Sequence, residues 1–408
     1  MNILHIIGSM NPTTGGPCQG IRYINSQTAN IGTVREVVCL DEPTSSYLGM
    51  DDFPIHALGP TFGPWQYTPK LKPWLDANIT RFDVIILNGI WIYSSYAGFK
   101  TVLELKKQNL KATSKKFKVP KVFVMPHGML DPYFQQADTR GLKRIRNLLY
   151  WILIERKVIN NADAILFTCE TELKLARKTF FSYHPKKEIN VGYGIYEPPA
   201  FSLKMQNTFL DNCPGLGSQP YILFLSRVND KKGVDLLIKS YAEIVKQALV
   251  KEKKIPMLVI AGPGLDTSFG EKMQHLVTSN PEIKDLVLFT GMLTGDAKWG
   301  ALYGCDAFIL PSHQENFGIA VVEALACKKP VLISDQINIW KEIIDGGGGI
   351  VVKDTLEDTK KMLNQWLNLS PSEKKIMGEC ALEIFNTKFH IEQSSKNLLE
   401  AINSEFTC

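Results

Sequence analysis

Glu315 and Glu323 stand in the run PSHQENFGIAVVEAL at 311–325, with an apolar stretch ending at Leu310 before it and a helix-period segment beginning near Gly318. Gly318 lets a ligand approach the backbone closely. Amides at such a helix start, together with the helix dipole, suit a phosphate. Glu323, on the second helical turn, can accept hydrogen bonds from the vicinal hydroxyls of a ribose, as the acidic residue of dinucleotide-binding folds does. Glu315, in the preceding loop, is then left to face a sugar. A second pair, Arg227 and Lys232, lies in FLSRVNDKKGVD at 224–235, across a turn closed by Gly233. Two fixed cations there can converge on a diphosphate and neutralise it as it leaves. A basic surface turn capping a helix would have the same composition.

Weaker signals lie earlier in the chain. Gly15-Gly16-Pro17 follows an apolar run and opens onto a helical pattern, and MPHGMLDP at 125–132 ends another apolar run with His127. A strand-end histidine satisfied by backbone groups reads the same way as a functional one. TCETE at 168–172 offers Glu170 as a crevice residue or as a helix-start carboxylate. AGPG at 261–264 predicts a tight turn without catalytic duty.

These residues need elements to place them, and the periodicity supplies parallel sheets with crossover helices. Strands are expected at 3–7, 36–40, 84–87, 122–125 and 164–167, and again at 221–225, 257–261, 286–289, 307–310 and 331–333. The α/β fold expected is two Rossmann-like, doubly wound domains whose strand ends face one cleft. The boundaries read as 1–196 for the first domain, 197–219 for a Pro-, Gly- and Asn-containing connection, and 220–385 for the second domain. Residues 386–408 are expected to be a helix returning to the first domain.

The surroundings of the two glutamates make a resemblance specific. ENFGIAVVEAL, preceded by DAFILPS and followed by KPVLIS, resembles the signature of retaining glycosyltransferase family four, which has the GT-B fold. The likeness extends over most of the second domain. It implies that Arg227 and Lys232 grip the donor diphosphate and that Asn316, Phe317, Gly318, Ile319 and Glu323 contact the donor. It also implies that Glu315 lies at the reacting sugar, that Gly16 belongs to the glycine-rich loop beside the phosphates, and that His127 lies near the transferred sugar. Many relatives carry histidine where this chain reads NGIW at 88–91. That motif, with PHGMLDP, looks most like members that build bacterial surface polysaccharides.

The activity implied is transfer of a sugar from a nucleotide diphosphate sugar to a carbohydrate or lipid-linked carbohydrate hydroxyl, with retention and without a cofactor or metal. No Asp-x-Asp flanked by apolar strand residues offers metal ligands. Two rivals stay open: an epimerase of related architecture acting without an acceptor, and a silent nucleotide-sugar binder.

The 408 residues are too many for one core. Eight scattered cysteines without a C-x-x-C pair argue against a disulfide framework, and no run of apolar residues is long enough to span a bilayer. A cytoplasmic protein is expected. The net charge of +5 is carried by residues 1–200, the remainder being slightly acidic. Nucleic acid is not expected as a partner, because the basic stretch lacks aromatic stacking residues. Ile145, Leu148, Leu149 and Ile152 recur at a helical spacing that predicts a face buried on the first domain. The adjacent Lys143, Arg144 and Arg146, with Lys115, Lys116 and Lys118, can instead support weak peripheral contact with the inner face of a membrane.

Overall fold

The apolar runs become strands because parallel sheets covered on both faces demand continuous burial. The protein is described by a computed structural model covering residues 1–28, 33–112, 117–136, 141–250 and 254–406. Seven strands build the first sheet: β1 Asn2–Ile7, β2 Val34–Cys39, β3 Ile55–Ala57, β4 Val84–Asn88, β5 Lys121–Met125, β6 Ala164–Phe167 and β7 Glu188–Asn190. Their order is β3-β2-β1-β4-β5-β6-β7, every pair parallel. Six strands build the second: β8 Tyr221–Leu225, β9 Met257–Ala261, β10 Val287–Gly291, β11 Ala307–Leu310, β12 Val331–Ser334 and β13 Gly349–Val352. They run in the order β10-β9-β8-β11-β12-β13, again parallel throughout.

Both orders reverse beside a central strand, and that topology decides where ligands can enter. In each sheet the loops leaving the two strands at the reversal diverge and open a crevice at their carboxyl ends. In the first sheet these are β1 and β4, followed by the glycine loop and by Asn88-Gly89. In the second they are β8 and β11, followed by Arg227-to-Lys232 and by Glu315. The central strands anchor those loops: all residues of β4, β8 and β11 are buried. Each large aliphatic side chain so buried contributes roughly 1.5–3 kcal/mol relative to exposure.

Three strands escape the sequence reading, β3, β7 and β13. They are edge strands whose residues are mostly only half-buried, unlike the fully buried β6, β11 and β12 of similar length. The domain limits also differ from those expected. The chain divides into one unit of Met1–Gly194 with the segment from Ile391 onward, and a second of Ile195–His390. The expected connection at 197–219 is part of the second unit. It holds the helix Leu203–Asp211, capped by Ser202 and burying Met205 and Phe209, which lies against the helix Gly295–Gly304. Gly300 allows that approach: an added Cβ would come within 2.1 Å of the Met205 carbonyl oxygen. Pro and Gly flanking a short helix gave the segment its linker-like composition.

At the other end, the helix Ile391–Asn403 places Leu398, Ala401 and Ile402 in one core with Ile3, Val84 and Phe123 of the first sheet. Among the described residues, no helix is long and apolar enough to cross a membrane. The helix Gly141–Tyr150 corrects a further expectation. Ile145, Leu148 and Leu149 are exposed, at 56%, 38% and 54%, and so is Leu153, whereas Asn147 and Trp151 turn inward. Trp151 stacks on Phe180 at 4.6 Å and donates to the Phe181 carbonyl, so this large ring, not the aliphatic stripe, sets which face packs. Lys115 and Lys116 lie outside the described residues.

Candidate active site

In the second unit, β8 runs into Arg227 and then a short turn, Asp230–Lys232, ended by Gly233 at φ 67°. Gly233 is required by its neighbour as well as its backbone, since a Cβ would meet the Pro311 carbonyl oxygen at 2.0 Å. This close passage brings Lys232 against the segment that follows β11, where its ammonium contacts the Glu315 carboxylate. Lys232 is 5% exposed. Burial first, then Lys231 and Arg227, depress its ammonium to about 7. The Glu315 carboxylate acts in the opposite sense. An arriving anion would offset the repulsion between these cations.

Glu315 is clamped by backbone on both sides: its amide donates to the Gln336 carbonyl at 3.0 Å, and its carbonyl accepts from the Asn338 amide at 3.0 Å. Asn338 also donates to the Asn316 side-chain oxygen. The helix Ile319–Ala326 then starts at Gly318, in the left-handed region at φ 76° and without a side-chain cap, so its first-turn amides suit a ligand oxygen. Glu323 is buried on this helix, and Lys298 Nζ donates to its Oε1 at 2.7 Å. Among the described residues, no group of three or more His, Cys, Asp or Glu is arranged to hold a metal ion.

In the first unit, Gly16 begins the helix Gly16–Thr28, and its carbonyl accepts from the Tyr193 hydroxyl at 2.7 Å. His127 follows β5 at φ 50° and Gly128 at φ 81°. This turn is pinned from behind by Glu172, whose carboxylate accepts from the Gly128 amide at 2.5 Å and from the amide and hydroxyl of Thr168 at 2.8 and 2.6 Å. Burial lowers the His127 imidazole to about 4, which keeps it neutral at ordinary pH.

Comparison with known proteins bears on both units. The family described as "Glycosyl transferases group 1" matches residues 214–381. Residues 214–381 resemble a group 1 glycosyltransferase domain and lie within the second unit. Beyond this domain, the chain is 24% identical over 264 residues to an alpha-1,3/1,6-mannosyltransferase, ALG2, of Dictyostelium discoideum, a match taking in 60% of this chain and 62% of that protein. It is also 24% identical to a D-inositol 3-phosphate glycosyltransferase of Gordonia bronchialis, over 60% of this chain and 52% of the relative. The chain thus spans less than two thirds of the length of these relatives. Sucrose-phosphate synthase of Thermosynechococcus elongatus superimposes with a TM-score of 0.73 at 17% identity, over 100% of this chain and 99% of that one. Anabaena HepE, solved with UDP and glucose, superimposes with a TM-score of 0.70 at 16% identity, over 98% and 99%. The fold is therefore GT-B, with a Rossmann-like sheet in each unit.

Within the matched stretch, Lys232 and Glu315 touch, Arg227 lies close enough to repel Lys232, and Gly318, Ile319 and Glu323 follow on one helix start. Phe317 turns its side chain inward. Its ring is 6% exposed and packs edge-on to Phe389, which leaves only its backbone for a ligand. Gly16 and His127 belong to the other unit. Sequence reasoning missed Lys298 and Glu172. Lys298 is signalled only by a cation in the first turn of an ordinary helix. In TCETE, Glu170 was singled out, but Glu172 carries the hydrogen bonds.

Proposed function

We propose that the protein is a retaining glycosyltransferase, moving a sugar from a nucleoside diphosphate donor to the hydroxyl of a carbohydrate or lipid-linked carbohydrate acceptor without a bound metal. The observation that carries this reading is the buried Lys232 held against Glu315 beside an uncapped helix start. Arg227, Lys232 and the amides near Gly318 take the diphosphate, Glu323 the ribose hydroxyls and Glu315 the transferred sugar. The acceptor oxygen forms its bond to the anomeric carbon on the face from which the diphosphate departs. The carbon–oxygen bond to phosphate breaks, and the departing phosphate oxygen takes the acceptor proton. Glu315 therefore has no need to act as a nucleophile, and the cations supply the charge neutralisation a metal would otherwise give. The HepE structure with UDP and glucose supports a nucleotide-sugar donor, and the mannosyltransferase and inositol phosphate relatives support a glycoconjugate product. Turnover of nucleotide sugars with and without acceptor, in the presence of a chelator, tests the proposal. Acceptor-dependent product with the donor's anomeric configuration is expected, and inversion or loss of activity on chelation would contradict it.

A second feature favours a site at the inner face of a membrane. The exposed Ile145, Leu148, Leu149 and Leu153 lie on or directly after a helix carrying Lys143, Arg144 and Arg146. An apolar face with flanking cations suits shallow insertion among anionic headgroups.

A further inference from the structure

The side chain of Asn88, the last residue of β4, lies between two histidines. Its Nδ2 is 3.3 Å from His5 Nδ1, and its Oδ1 is 3.2 Å from His127 Nε2. The two ends of an amide differ only in what they can bond: the nitrogen only donates and the oxygen only accepts. A third contact settles which end is which. Nδ2 lies 3.0 Å from the Ile86 carbonyl oxygen, an atom that can only accept, so the nitrogen must point there. Oδ1 is then the atom facing His127, and the hydrogen between them must sit on His127 Nε2.

We propose that Asn88 is a positioning residue: anchored by the Ile86 carbonyl, it holds His127 as the Nε2-protonated tautomer and leaves Nδ1 as a bare acceptor for a ligand hydroxyl. His5 follows the same logic from the other side. Its Nδ1 accepts from Asn88, so its hydrogen sits on Nε2, a buried atom with no hydrogen-bond partner in the structure. His5, Asn88 and His127 line one small crevice with Pro17 and Tyr193, at the carboxyl ends of β1, β4 and β5. Both rings are neutral in this setting, because burial lowers each imidazole well below its usual range. A neutral imidazole has one donor and one acceptor, and the amide decides which nitrogen is which. An acceptor nitrogen can receive a hydrogen bond from a sugar hydroxyl, whereas the other tautomer could only donate from that position.

The catalytic meaning of this tautomer rests on the transferase reading, but the tautomer itself is measurable without turnover. In the full chain labelled with 15N-histidine, long-range proton–nitrogen correlation reports which ring nitrogen carries hydrogen, and His127→Gln identifies the His127 signals. Wild-type protein at pH 8 is expected to show His127 protonated on Nε2 and bare on Nδ1. Asn88→Leu should mix the two tautomers or reverse them, and Asn88→Asp, which keeps an acceptor, should retain the wild-type form. With sugar transfer as the readout, Asn88→Leu should lower kcat about tenfold, the weight of one hydrogen bond, with the donor KM unchanged. A wild-type ring protonated on Nδ1, or a tautomer unmoved in Asn88→Leu, overturns the proposal. Loss of donor binding in place of kcat overturns the positioning role. Absence of transfer by the wild-type protein would strike the functional reading alone, since the tautomer assignment is decided by the spectra.

Discussion

Lys298 Nζ lies 2.7 Å from Glu323 Oε1 and 4.1 Å from the centre of the Trp299 ring. The carboxylate assigned to ribose hydroxyls thus carries a cation through one oxygen, with the other left for the ligand. An ionised, oriented Glu323 is what a vicinal diol requires.

Lys298→Met is therefore expected to weaken donor binding, by about five- to tenfold for a partly exposed charged hydrogen bond. The double variant with Glu323→Ala should bind no worse than Glu323→Ala alone, because Lys298 acts through that carboxylate. Calorimetric titration of all four proteins gives the coupling. Additive losses would mean that Lys298 meets the donor directly.

Glu315 and Glu323 should fail in different ways. Glu323→Ala should raise the donor Kd with turnover at saturation nearly preserved, whereas Glu315→Ala should lower kcat, as its carboxylate sits against Lys232 at the reacting end. Steady-state kinetics with separate donor binding make the distinction. Wild-type binding and turnover in both variants would remove the site.

Removing either cation tests the leaving-group role. Arg227→Met and Lys232→Met should each cost on the order of 2–4 kcal/mol in kcat/KM, the scale of deleting one preorganised donor at a developing charge. Lys232→Met also leaves the Glu315 carboxylate without its cation, so its effect should exceed that of the exposed Arg227. Equal losses would place Arg227 nearer the phosphate than the apo charge pattern suggests.

The legible parts of this protein were those with local chemistry. Arg227, Lys232 and Glu315 follow a strand end by only a few residues and Glu323 lies on the helix that comes next, so their spacing survives in the sequence. Lys298 and Glu172 were hidden because their meaning comes from partners brought by folding, 25 residues away for Lys298 and Glu323 and 44 for Glu172 and Gly128. The helix Leu203–Asp211 was hidden by its flanks, and the outward Ile145 and Leu149 by a period that records amphipathicity without saying which face meets the core.

Buried titratable groups in the first unit give a pH signature. Glu155 is fully buried, its Oε1 accepting from the Trp91 amide at 2.9 Å, and burial raises its carboxyl to about 7. Because the folded value lies above the unfolded one, its contribution to stability is complete below about 4.5 and is lost as pH rises through 7. His5 has the opposite sign. Its imidazole is lowered to about 3, so its contribution is complete above about 6.5 and is lost as pH falls. Glu155→Gln keeps an acceptor for Trp91 and removes the buried charge. It should stabilise by roughly 2 kcal/mol at pH 8 and little at pH 4.5, read from urea midpoints. A gain equal at both pH values would mean that Glu155 does not titrate in this range.

The outward face of the helix Gly141–Tyr150 offers the last test. Ile145 and Leu149 are exposed by more than half, so replacing both with Ser should change stability by no more than about 0.5 kcal/mol each. If the face exists for shallow lipid contact, the same change should abolish co-sedimentation with vesicles containing anionic lipid. Reversing Lys143 and Arg144 to Glu should do so as well. Wild-type binding should be present at low salt and weak at high salt, since the cations contribute through a screened surface potential. Neutral vesicles should bind little, because four partly exposed aliphatic side chains insert too little area to hold the protein without charge. Binding of the Ile145→Ser/Leu149→Ser protein at the wild-type level would show that the exposed stripe serves something other than lipid, and no wild-type binding to anionic vesicles at low salt would end the membrane reading.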